Sequence, residues 1–347
     1  MSTKTLTQRA IAVTVGAGLA ILATGCGGQA AAPTAQGPDQ VKIMVGGMNK
    51  QIYLPAVLAQ QLGLFGKHGL QVELSDEPAG VDAETQMLSG NVDGVVGFYD
   101  HTIDLQGKGK STESVVQFSQ VPGEVEVVSS KATDVRSFAD FKGKSLGVTG
   151  LGSSTNFLTK FLAVRAGLSP SDVTSVPVQA GSTFIAAMEQ DKIQGGMTTE
   201  PTTTALAKKG DARVLIDMRT AEGAKAALGG TYPAACLYMT TNWVNSHKAT
   251  TQKLADAFVE TLHWINTHTA ADIAAQLPAD YVSNSNITKA DYITALDAGK
   301  AMFTSDGIMP ADGPQTVLTV LNSFDPTVQG HSIDLSKTFT TEFVKKD

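Results

Sequence analysis

Short apolar segments alternate with amphipathic helical ones along this chain, and the alternation runs through twice in the same order. VKIMVG (41–46), a helical pattern in LPAVLAQQLGLF, LQVELS, a helical DAETQML and VDGVVG make the first pass. SLGVT, a helix from about Ser154 to Ala166, VTSVPV, a helix through IAAMEQ and IQGGMTT make the second. Strands that alternate with helices require βαβ units and a largely parallel sheet. The second pass repeats letters as well as pattern: Ala79, Gly80, Met87, Val92 and Gly94 are answered by Ala180, Gly181, Met188, Ile193 and Gly195, a constant offset of 101. The fold class is therefore α/β, with two similar lobes side by side rather than one long sheet.

Two further apolar runs, EVEVVSS (124–130) and PAACLYMTT (233–241), are placed to cross between the lobes as a two-strand hinge. The chain after residue 241 then returns to the first lobe. Its helical patterns TTQKLADAFVETLHWINTH and ITKADYITALDAGKAMF cover that lobe, with Leu254, Phe258, Leu262 and Ile265 on the inward face. The expected organisation is a leader over 1–26, a flexible tether over 27–40, a discontinuous first lobe over 41–128 and 240–347, and a second lobe over 129–239. Ligands of open α/β sheets bind outside the carboxyl ends of the strands, so two such lobes face one another across a cleft.

With 347 residues, 42% apolar and 17% charged, the chain has material for two cores. Its net charge of -7 argues against nucleic acid as a partner. Lys4 and Arg9 precede the uncharged run AIAVTVGAGLAILATG, which ends at Cys26. This is an export signal, and Cys26 is the expected lipidation site of a bacterial lipoprotein, although Ala23 stands where Leu is usual. GGQAAAPTAQGPDQ then reads as a tether of about 20 Å reach. The chain is expected outside the cytoplasm, held on a lipid anchor at the membrane, and Cys236 has no intrachain disulfide partner once Cys26 is acylated.

TGLGSSTNF (149–157) lies between a strand and a helix. It lacks the Lys of a P-loop and the third Gly of a dinucleotide fingerprint. The helix-terminal N–H groups and the hydroxyls of Ser153, Ser154 and Thr155 suit an acceptor group on a ligand, or they cap the helix.

YLPAVLAQQLGLFGKHGLQVEL, MLSGNVDGVVG, FADFKGKSLGVTGLGSST, GLSPSDV and TTEP resemble the substrate-binding proteins of ABC importers for nitrate, sulfonates and taurine, a family that includes binders of thiamine-pyrimidine precursors. The resemblance runs from about residue 41 to about 245. It implies a type II periplasmic-binding fold, a small organic ligand of anionic, sulfonate-like character, a membrane permease as partner, no cofactor, and action as a monomer. The strand-end loops that it recruits give Gln51, Tyr53, Gly80, Phe98, Tyr99, Asp100 and His101 in the first lobe as ligand-binding candidates. Gly152, Ser153, Ser154, Thr155, Ser182, Thr183 and Glu200 are those of the second, and Tyr232 lies at the hinge.

Each candidate has a plainer role open to it. Phe98 and Tyr99 wall a ligand or seal the sheet end; Asp100 orients a ligand or caps a helix; Glu200, before Pro201, binds an amine or caps the next helix. Lys50 and Arg219 are the cleft cations, with solvated surface as their expected setting. No metal is expected, because His263 and His268 stand at a spacing that does not bring them together on one helix face. An enzymatic reading, a hydrolase or biosynthetic enzyme with Cys236 as thiol nucleophile, competes with the receptor. PAACLYM, however, suits burial of that thiol. An extracytoplasmic sensor shares all the binding features.

Overall fold

The computed structural model describes residues 37–344. The leader, the lipidation site at Cys26 and most of the tether lie outside the described residues. No helix among the described residues is long and apolar enough to cross a membrane.

Ten strands form two five-stranded sheets. The first sheet has β1 (Asp39–Val45), β2 (Leu70–Asp76), β3 (Gly94–Phe98), β4 (Thr112–Gln117) and β10 (Ala235–Thr240), in the order β2-β1-β3-β10-β4. The second has β5 (Glu124–Ser129), β6 (Ser145–Val148), β7 (Thr174–Pro177), β8 (Gly195–Thr199) and β9 (Ala212–Asp217), in the order β7-β6-β8-β5-β9. In each sheet the first three strands are parallel, and the fourth in order, β10 or β5, is antiparallel to both its neighbours. β3 and β8, which carry the 101-residue echo, hold equivalent central places.

The two antiparallel strands are exchanged. β5 follows the first sheet's β4 in sequence yet pairs with β8 and β9; β10 follows β9 yet inserts between β3 and β4. The first crossover thus precedes Glu124, so strand 124–129, which the sequence reading assigned largely to the first lobe, stands in the second sheet. Residues 118–123 and 218–234 carry the chain across, side by side: Gly123 N donates to Met218 O (3.2 Å) and Ala234 N to Ser119 O (3.2 Å).

Helices α1 (Leu54–Gln61), α2 (Leu64–Lys67), α3 (Gly80–Leu88) and α4 (Asp100–Gly107) connect the first sheet, and α5 (Ser154–Arg165), α6 (Ser182–Glu189) and α7 (Thr202–Lys209) the second. The stretch read as one helix over 54–65 breaks at Gly63, whose φ of +68° is a left-handed conformation that glycine adopts without strain. Val41, Ile43 and Val45 alternate inward along β1, while β3 and β8 are buried at every position. Gly196 has a φ of +155°, and a Cβ there would lie 2.4 Å from Gly147 O, so the β6–β8 register depends on glycine.

The helix Lys248–Thr267 packs on α1 and α2. Leu254, Phe258, Leu262 and Ile265 are its buried face, with the Phe258 ring 4.8 Å from Phe118 and 5.4 Å from Phe65. Aromatic clusters of this size dominate core energetics. The return of the chain to the first sheet is therefore a packed return rather than a loose tail.

Candidate functional site

The carboxyl ends of β1, β3, β6 and β8 face one another where the lobes meet, and the two sides of that meeting are built differently. On one side lies a cavity of about 240 Å³. The first sheet contributes Lys50, Asp76 and Pro78; the second contributes Gln179, Ser182 and Thr202; Asn284 and Asn286 close it from the C-terminal region. Gln179 holds a φ of +60°. Asn286 Nδ2 donates to Ser182 Oγ at 3.1 Å across the rim.

On the other side the lobes are hydrogen-bonded directly. Ser154 Oγ donates to Asp100 Oδ1 (2.7 Å), Tyr232 OH donates to Asp100 Oδ2 (2.9 Å), and Val81 N donates to Ser153 Oγ (3.3 Å). Asp100 is fully buried, and its carboxylate makes no capping bond to α4 although it stands at that helix's first position. Burial raises its carboxyl above the usual range, against the pull of His101 and the two hydroxyl donors. The opening hydroxyls of α5 thus hold the opposite lobe. Thr155 Oγ1 instead accepts from Thr149 N (2.9 Å), tying α5 to the end of β6, and Gly152 N donates to Asn156 Oδ1 (3.1 Å).

The remaining candidates divide between cleft and scaffold. Tyr53 and Phe98 meet edge to face at 6.3 Å, with Lys50 Nζ 5.7 Å from the Tyr53 ring centre. Tyr99, one residue on, is directed elsewhere: its hydroxyl lies 2.5 Å from Thr338 Oγ1. Gln51 joins the lobes through its backbone N–H to Glu200 O (3.0 Å), while its side-chain amide donates to Tyr292 O. Thr183 Oγ1 donates to Val178 O and Ala180 O, closing its own turn. Glu200 plays two parts: Oε2 accepts Thr204 N (3.0 Å) in the first turn of α7, and Oε1 accepts Arg219 Nη1 (2.7 Å).

His101 is buried between Tyr238 and Phe157, with Nδ1 2.6 Å from Glu84 Oε2. The contact is short but poorly aligned for a hydrogen bond, and it becomes an ion pair when the imidazole is protonated. Burial works to lower the His101 pKa, and Glu84, Asp100 and Asp104 together outweigh it, leaving a net rise. A Cβ at Gly80 would lie 2.9 Å from His101 Nε2, which explains the glycine at the start of α3.

Lys50 and Arg219 depart from the solvated setting expected of them. Lys50 is 7% exposed, and its Nζ donates to Gly46 O (2.7 Å) and Pro78 O (3.1 Å). Arg219 is clamped by Asp217 and Glu200. Sequence reading missed Asp76, Gln179, Asn284 and Asn286 on the cavity wall, and also Glu124 and Glu126. These two acids are buried on β5. Burial raises Glu124 to about 7 in spite of Lys50, and the same desolvation lowers Lys50 to about 8. Cys236 is fully buried in the middle of β10, which pushes its thiol well above the usual range. Among the described residues, no group of three or more His, Cys, Asp or Glu side chains is arranged to hold a metal.

Two mixed α/β sheets facing across a doubly bridged cleft define a protein of the periplasmic-binding-protein fold. The alkanesulfonate-binding protein SsuA from Xanthomonas axonopodis pv. citri, bound to MOPS, superposes with a TM-score of 0.70 at 19% identity, over 88% of this chain and 100% of that one. The profile of the NMT1/THI5-like family matches residues 51–271, and the chain belongs to that family. A solved structure from Bordetella bronchiseptica RB50 is 33% identical, with a TM-score of 0.83 over 88% of this chain and 95% of that one. A 4-amino-5-hydroxymethyl-2-methylpyrimidine phosphate synthase from Schizosaccharomyces pombe is 27% identical over 148 residues, 43% of this chain and 41% of that protein. The chain spans less than half the length of the curated relatives it matches.

Proposed function

We propose that this protein is an extracytoplasmic solute receptor of an ABC importer, anchored through Cys26, that captures one small organic molecule between its lobes and delivers it unaltered to a membrane permease. The observation that carries the reading is the cavity lined from both lobes at the strand ends, beside two crossing segments about which the lobes can hinge. Its volume is below the roughly 300–1,000 Å³ typical of pockets for drug-sized ligands, which suits a small solute. Lys50 and Ser182, on the cavity wall, are the ligand-facing candidates, with Tyr53 and Phe98 buried away from that wall and lobe boundaries near residues 118–123 and 218–234. Asp100, Ser153, Ser154 and Tyr232 serve as the latch that closes on the ligand. Closure then follows from tighter ligand contact in the closed form. The sulfonate-binding relative favours an anionic guest.

A second reading comes from the curated relatives named as pyrimidine phosphate synthases. A thiol-dependent version of an enzyme is opposed by Cys236, whose burial disfavours the thiolate that such chemistry needs. A thermal-shift screen of sulfonates, nitrate, aromatic acids, amines and pyrimidines on the full chain separates the readings. A ligand at about 100 times its Kd should stabilise the protein by about 2.7 kcal/mol and be recovered unchanged. Chemical conversion of the stabilising compound, lost in Cys236→Ala, would establish the enzyme instead.

A further inference from the structure

His101 follows Asp100 in the first turn of α4, one residue from the carboxylate that holds Ser154 and Tyr232. Its ring lies between Tyr238 of the first sheet, nearly parallel at 6.1 Å, and Phe157 of the second lobe's α5 at 5.9 Å. Val81, next to the Gly80 that makes room for Nε2, donates across the seam to Ser153 Oγ. His101 is therefore a first-lobe residue that the second lobe helps to cover, with cross-lobe hydrogen bonds on its flanks.

Hydrogen bonds do not hold this ring. Both ring nitrogens, Glu84 Oε2 and the Tyr238 hydroxyl are buried without a hydrogen-bond partner among the described residues. What remains is charge: Nδ1 lies 2.6 Å from Glu84 Oε2, and the attraction requires a protonated imidazole. Around the ring, α3 brings Glu84, α4 brings Asp100, Asp104 and Lys108, and β10 brings Tyr238. Asp325 joins Asp104 through the Thr327 hydroxyl, which donates to both. α5 brings Ser153, Ser154 and Phe157, with its Lys160 held over the Phe324 ring. Lys108 is paired with Asp104 at 2.5 Å, so among the described residues Glu84 has His101 alone within ion-pair distance.

We propose that the Asp100 side of the seam is a pH-gated latch: protonated His101 keeps the lobes closed there, and loss of its proton as the medium turns alkaline loosens them. Its use, timing closure to the acidity outside the cell, rests on the solute-receptor reading. With the ring neutral, Glu84 is a buried carboxylate without a counter-charge, and separation of the lobes relieves that cost by admitting water. Against burial, the surrounding carboxylates raise His101 above its ordinary 6.5. Its contribution is thus fully present below pH 6.5 and is lost as pH rises through the raised value.

Hydrogen exchange and small-angle scattering on the full chain without ligand, at about pH 6 and about pH 9, test the latch. The Val81 amide, whose N–H crosses the seam, should lose protection at least tenfold at the higher pH after correction for intrinsic exchange, with a larger radius of gyration. Glu84→Gln removes the carboxylate that needs a counter-charge and should keep this amide protected at both pH values. His101→Gln strands that carboxylate and should leave the amide poorly protected at the lower pH already; Glu84→Gln keeps the test decisive where His101→Gln fails to fold. Equal protection at both pH values in the wild type, a fall of the same size in Glu84→Gln, or wild-type protection of His101→Gln at the lower pH overturns the inference. A fall that belonged to Glu124 and Lys50 would persist in Glu84→Gln. These readouts use no ligand, so their failure leaves the receptor reading in place, and that reading falls only with a silent solute screen.

Discussion

The two sides of the seam between the lobes use polar groups in opposite ways. On the Asp100 side the hydroxyls that bridge the lobes have protein partners: Ser154, Tyr232 and Ser153 are all spent. On the Lys50 side the same kinds of groups surround a cavity, and at the cleft end of β5 the buried Glu124 Oε2 lacks any donor. A satisfied buried network fixes two bodies against each other, whereas an unsatisfied one leaves an opening for a third molecule. In the proposed receptor, closure and recognition are thus spatially separate, and a substitution on one side should leave the other largely in place.

The largest expected effect breaks the latch. Asp100→Ala leaves Ser154 and Tyr232 without their shared acceptor, and chemical denaturation should report a loss of about 3 kcal/mol. Scattering should show a larger radius of gyration in the same variant. An unchanged midpoint and radius would mean that the latch does not hold the lobes.

A smaller effect belongs to the cavity side and depends on pH. Glu124 is raised from 4.5 to about 7, so its contribution to stability is fully present below pH 4.5 and is lost as pH rises through 7. Lys50 is lowered from 10.5 to about 8, so the unfolded chain binds more protons between pH 8 and 10.5 and stability recovers over that window. Lys50, Asp76 and Asp100 are the charges that act on this pair. The pair thus gives a stability minimum between pH 7 and 8. Glu124→Gln should stabilise the ligand-free protein there by about 2 kcal/mol and much less at pH 4.5. Equal effects at both pH values would show that the carboxyl is not held in its raised state.

The smallest change comes from Ser153→Ala with Ser154→Ala, expected to cost about 1 kcal/mol per hydrogen bond. Their effect on affinity should follow closure, weakening all ligands by one common factor. A change confined to one ligand class would place these hydroxyls in contact with the guest.

The sequence displayed the scaffold more openly than the site. VKIMVG and VDGVVG are short apolar runs that only a buried strand explains, and the echo at 101 residues located β3 and β8 as counterparts. EVEVVS misleads because its alternation suggests a strand with one wet face. The strand instead lies between β8 and β9 with both faces covered, so its acids are forced inside. Phe98 and Tyr99 look equivalent as letters, yet a step of one residue at the end of β3 turns Phe98 toward Tyr53 and sends Tyr99 to Thr338. Asp100 has the spacing of a helix cap, and only the approach of α5 and Tyr232 from elsewhere in the chain gives its carboxylate other partners. The wall formed by Asn284 and Asn286 depends on the C-terminal region reaching the rim of the second lobe, a long-range contact that no local pattern encodes.

The exchange of β5 and β10 has a consequence for how the chain acquires its shape. β10 sits between β3 and β4, so the first sheet stays split until Thr240 has left the ribosome. The second sheet, whose strands lie between residues 124 and 217, is complete earlier and is the natural first foldon. A nascent chain released before residue 240 would expose the flanks of β3 and β4 to any passing edge, which makes the late arrival of one short strand the step most open to aggregation.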